Sequence, residues 1–62
     1  MTAKLFTMTF RDLDRPGTHT RKFNPWNQKS LDNPVWGFAW EMDSNGFSIF
    51  DVKVIAEEEI ND

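Results

Sequence analysis

The stretch from Ser30 to Gly46 constrains this chain more than any other, because it alone combines helical spacing with a start and a stop. Pro34 has no N–H to donate and a φ already suited to a helix, so it belongs at the first helical position. Asn33, pushed out of the α region by the proline that follows it, is the natural N-cap. At the far end, Asn45-Gly46 offers a residue able to adopt the left-handed conformation that closes helices. The spacing predicts a helix of about three turns, flanked by strands on both sides.

Upstream, Lys4 to Arg11 alternates strictly, with Phe6, Met8 and Phe10 on one face and Thr7 and Thr9 on the other, the period of a half-buried strand. Arg15-Pro16-Gly17-Thr18 reads as the turn, and Thr18 to Asn24 as a returning edge strand blunted by Arg21 and Lys22 and ended by Pro25. Trp26 to Lys29 is a polar connection with one anchored ring. Beyond the helix, Phe47 to Ala56 is rich in β-branched and aromatic residues, but its apolar pairs change parity between Phe47/Ile49 and Val52/Val54. A bulge near Phe50-Asp51 would keep both pairs on the core side. Residues 57–62 read as a frayed acidic tail.

The element order is therefore β-β-α-β. A hairpin followed by a helical crossover gives a three-stranded antiparallel sheet of order 2-1-3 with one helix packed on one face, an α+β fold forming a single small domain over residues 1–62. The expected core is Phe6, Met8, Phe10, Phe38, Met42, Ile49, Val52 and Val54. Within the helix, Val35, Phe38 and Met42 share one stripe, whereas Trp36 and Trp40 stack on the far side. Those tryptophans are either covered by the Trp26 connection or left open as an interface anchor.

So short a chain buries only about 60% of its unfolded surface, and no cysteine is present to staple it. Nine large aromatic side chains compensate. No apolar run is long enough for a membrane span and no secretory leader is evident, so a cytosolic protein is expected. Charge is divided unevenly along the chain. Residues 1–29 hold six bases against two acids, and residues 30–62 hold one base against eight acids. An acidic face seeks a basic partner or imitates nucleic acid, and Asp32, Glu41, Asp43, Glu57, Glu58 and Glu59, with Trp36 and Trp40, are its candidate binding residues.

Little here supports catalysis. His19 is the only histidine, Asp12, Asp14 and His19 match no metal-ligand spacing, and Glu57 to Glu59 are consecutive, so they point different ways instead of forming an acid–base pair. Neither an enzyme, a cofactor nor a metal is expected. A second reading places single-stranded nucleic acid on the hairpin, where Arg11, Arg15, Arg21 and Lys22 combine with the ring of Trp26.

From Ser30 onward the pattern resembles the small early proteins with which certain podoviruses inhibit bacterial RNA polymerase. The resemblance is carried by Ser30-Leu31-Asp32, by Ala39 and Trp40 late in the helix, by the Gly46-Phe47 restart, and by Ile49 and Val52 in the strand that follows. Where that family uses arginines on its last strand to engage the polymerase, this chain has Asp51 and Lys53, and Asn33-Pro34 replaces helix-favouring residues. By type, the chain is also similar to small acidic anti-CRISPR proteins, which offer carboxylates in place of phosphates. The resemblance implies a phage or mobile-element inhibitor, monomeric or weakly dimeric, acting in the host bacterial cytosol. Its target would be a nucleic-acid-handling complex with a basic surface, a CRISPR effector ahead of RNA polymerase.

Overall fold

The alternation of Phe6, Met8 and Phe10 sets the architecture, because each side chain needs cover on one face only. A computed structural model describes residues 2–61 and supplies that cover. Its elements are β1 (Thr2–Asp12), β2 (Arg15–Phe23), α1 (Gln28–Asp32), α2 (Pro34–Ser44) and β3 (Ile49–Asn61). The sheet is antiparallel with order β2-β1-β3, the expected arrangement, and places β1 at the centre. Phe6, Met8, Phe10, Phe23, Phe38 and Met42 form the buried core, with Leu31, Phe47, Ile49, Val52 and Val54 packed against it.

Helix α2 begins and ends where its sequence dictates. Pro34 occupies its first position behind Asn33, whose side chain makes no capping hydrogen bond. At the other end the Phe47 N–H donates to the Met42 carbonyl at 3.0 Å and the Gly46 N–H to the Asp43 carbonyl at 3.0 Å, the paired bonds of a Schellman closure. Gly46 takes φ +87°, a region that glycine enters without cost. The apolar stripe is narrower than its spacing suggests. Phe38 and Met42 are buried, but Val35, in the first turn, is exposed.

Three sequence expectations need correction. The hairpin turns at Leu13-Asp14, ahead of Pro16-Gly17, because Asp12 accepts a 2.8 Å hydrogen bond from the Asp14 N–H and so closes a tight turn on its own side chain. Arg11 pairs with Thr18 and Asp12 with Arg15, leaving Pro16 and Gly17 as extra residues on β2, with Gly17 at φ +94°. The connection from Trp26 is not wholly irregular either, since Gln28–Asp32 forms the short helix α1. The third correction concerns Glu57 to Asn61, which continue β3 opposite β1 in place of a frayed tail; Lys4 lies opposite Glu59 and Phe6 opposite Glu57. Asp62 lies outside the described residues.

The parity problem in β3 is solved as expected, and then solved again. Between the pairs Thr9–Lys53 and Arg11–Phe50 the register shifts, and Asp51 there adopts φ +54°. A second shift, between Thr7–Ala56 and Met8–Val54, leaves Ile55 as the extra residue. Both irregularities bend an otherwise long edge strand away from regular pairing with another chain.

Helices α1 and α2 cross closely, at Ser30 and Gly37. Ser30, fully buried, accepts at its hydroxyl from the Trp26 and Asn27 N–H groups, both at 3.0 Å, and donates to the Asn27 carbonyl at 2.9 Å. The Asn27 side chain returns a bond to the Ser30 N–H at 2.8 Å, completing a reciprocal cap. Gly37 of α2 sits directly against this turn: a Cβ there would lie 2.8 Å from the Ser30 Cβ and 3.1 Å from Cζ of Phe23.

Candidate functional site

An aromatic chain runs from the core to the surface. Phe10 and Phe23 each contact Phe38, with ring centroids 5.3 and 5.7 Å apart, and Trp26 meets Phe23 edge-on at 5.7 Å. Trp26 in turn contacts Trp36 at 6.2 Å and Trp40 at 5.6 Å. Both sequence outcomes are therefore combined: the Trp26 connection does reach the two helical tryptophans, yet it does not bury them. The three rings remain 45%, 39% and 56% exposed in the order Trp26, Trp36, Trp40. Ser30 holds the backbone at Trp26, and Gly37 lets α1 approach α2 closely enough for the rings to meet. The cluster is thus held in place by the core and by the α1–α2 crossing, which lowers the ordering cost of binding.

The charges around it are arranged in a way the sequence does not reveal. All seven bases are already engaged within the protein. Lys4, Lys22 and Lys53 form ion pairs with Glu57, Glu58 and Asp51 at 3.3–3.5 Å. Arg15 pairs with Asp12 at 3.6 Å. Arg11 lies over the Phe50 ring, Arg15 and Arg21 over the Phe47 ring, and Lys29 over Trp36 at 4.3 Å. Among the described residues, by contrast, Asp32, Glu41 and Asp43 form no ion pair, although Asp32 accepts a hydrogen bond from Gln28 at 2.9 Å. All three belong to the helical layer that carries the tryptophans.

The candidate residues therefore separate. Trp36, Trp40, Glu41 and Asp43 share α2, Asp32 ends α1, and Trp26 joins them from the connection. Glu57, Glu58 and Glu59 sit on β3, the first two paired with lysines and the third exposed and, among the described residues, without an ion-pair partner. The residues proposed for nucleic acid do not form one surface. Arg15 and Arg21 turn to the helix side over Phe47, while Arg11 and Lys22, opposite Thr18 and Thr7, occupy the uncovered face of the sheet. Phe23, read from sequence only as part of a weak edge strand, proves to be one of the most buried side chains and the link between core and cluster.

An open depression of about 440 Å³ lies between the hairpin tip and α2, lined by Leu13, Ala39, Asp43, Phe47, Ile49 and Phe50. Leu13, at the turn, is 75% exposed on its rim. Among the described residues no helix is long and apolar enough to cross a membrane, and no group of three or more acidic, histidine or cysteine side chains is placed to hold a metal ion. Asp12 is instead committed to the turn, and His19 rests against the Phe10 ring at 5.6 Å. Compared with known proteins, the chain matches no family model, no curated protein and no solved structure.

Proposed function

We propose that this protein acts by binding another protein, with the Trp26–Trp36–Trp40 cluster as its anchor and Asp32, Glu41 and Asp43 selecting a basic surface on the partner. The observation that carries this reading is the coexistence of three half-exposed tryptophans with unpaired carboxylates on one layer, on a chain whose bases are all engaged. Tryptophan is, with tyrosine and arginine, enriched among the side chains that dominate interface energetics, and free carboxylates steer encounter with basic surfaces. Together with the resemblance noted from Ser30 onward, this supports a phage or mobile-element inhibitor that occupies the nucleic-acid-handling surface of a host complex in the bacterial cytosol. Binding of single-stranded nucleic acid to the hairpin is the weaker reading, because its bases are divided between two faces and each already has a partner.

The test is recovery of tagged protein from bacterial lysate with and without nuclease. The proposal expects a stoichiometric protein partner that survives nuclease and is released by raised salt, since exposed charge is screened. Recovery of partners only while nucleic acid is intact would overturn it.

A further inference from the structure

Resting on the docking reading above, we infer that the helical layer recognises an arginine of its partner followed by a bulky apolar side chain. Trp36 already shows what the cluster accepts, since the Lys29 ammonium lies 4.3 Å from its ring centroid. Trp40, the most exposed of the three, carries no such cation among the described residues. Asp43 stands three residues further along α2, so the two side chains are neighbours on the helix surface. Asp43 is exposed and, among the described residues, has no ion-pair partner. A tryptophan face beside a free carboxylate suits a guanidinium, whose plane stacks on an indole while its edge pairs with the carboxylate; an ammonium satisfies only one of these. Asp43 and Ala39, on either side of Trp40 along the helix, also line the apolar depression. The residue next to a bound arginine thus enters a site floored by Phe47 and Ile49 and edged by Leu13.

The chain offers its own reporter, because it has no tyrosine and all three of its tryptophans lie in the cluster. Intrinsic fluorescence therefore reads this site alone. The probe is a tryptophan-free decapeptide carrying two Arg-Leu units, compared with versions bearing citrulline or lysine in place of arginine. The expected result is a saturable fluorescence change with the arginine peptide, at least about tenfold weaker binding for citrulline, intermediate binding for lysine, and about tenfold weakening in Asp43→Asn. Lys53→Gln, on β3 opposite Thr9 and away from the cluster, should leave the titration unchanged. Equal binding of the arginine and citrulline peptides, or no saturable change up to about 1 mM, would overturn the inference. If Trp40-dependent capture of a protein partner stands while the peptides behave alike, the docking reading survives and the arginine assignment falls. Capture that ignores Trp40, alongside peptides that behave alike, removes both.

Discussion

Replacing Gly37 by alanine should destabilise the protein, although a mid-helix glycine is ordinarily a weak point. On propensity alone the substitution gains about 1 kcal/mol. The new methyl group, however, would sit 2.8 Å from the Ser30 Cβ, 3.2 Å from its Cα and 3.1 Å from Cζ of Phe23. Two of those three atoms belong to a capped, fully buried residue with little room to yield, which puts the overpacking cost near the upper part of the usual range of about 1–3 kcal/mol. The net loss is then about 1–2 kcal/mol, or some 4–16 °C in melting temperature for a domain of this size. Thermal and urea unfolding followed by far-ultraviolet circular dichroism gives the number. The same substitution in a Ser30→Gly background removes the closest clash, so there Gly37→Ala should be neutral or stabilising. An increase in stability for the single variant would refute the close crossing, and with it the account of how Trp26 is brought to Trp36 and Trp40.

Other consequences follow from the same packing. Ser30→Ala removes the hydroxyl that three backbone groups use, and should cost about 1–3 kcal/mol in urea unfolding while shifting the tryptophan emission maximum. Gly46→Ala meets no steric neighbour but must hold φ +87°, so it should lose about 1 kcal/mol or more, measured by thermal melting. Phe10→Ala and Phe38→Ala should each cost about 3–5 kcal/mol, enough to abolish a cooperative melt in so small a domain. Conversely, Glu57→Gln with Glu58→Gln removes two exposed ion pairs and should change stability by less than about 1 kcal/mol.

What the sequence discloses and what it withholds divide along a physical line. Features fixed by one residue's backbone chemistry are legible: Pro34 at the start of α2, Gly46 at its end, and the alternation of Phe6, Met8 and Phe10. The bulge at Asp51 is legible too, because the apolar pairs of β3 cannot otherwise share a face. Helix α1 is not, since five residues are too few to display a period; its only signal is the reciprocal capping pair Asn27 and Ser30. The turn escapes because Pro16-Gly17 is the stronger dipeptide signal, yet the carboxylate of Asp12 closes the hairpin two residues earlier. Gly37 reads as a helix defect until the partner helix is in place. The site shows the same division. Trp36 and Trp40 are visible as rings one turn apart on a helix and Trp26 as a nearby ring, but the helical pair is joined through Trp26, a meeting that depends on Ser30 and Gly37. Acidity is visible in composition, whereas the neutralisation of Glu57 and Glu58 by Lys4 and Lys22 depends on how far β3 extends along β1.

The most direct measurement compares partner binding by Trp40→Ala with binding by the Arg21→Ala, Lys22→Ala double variant, each first shown to melt as the parent does. Truncating a desolvated anchor typically costs about 2 kcal/mol or more, so Trp40→Ala should weaken capture of the partner about thirtyfold, chiefly through a faster off-rate. The double variant should bind as the parent does, or slightly better against a basic target. Full binding by Trp40→Ala together with loss of binding in the double variant would contradict the account and make the hairpin the working surface.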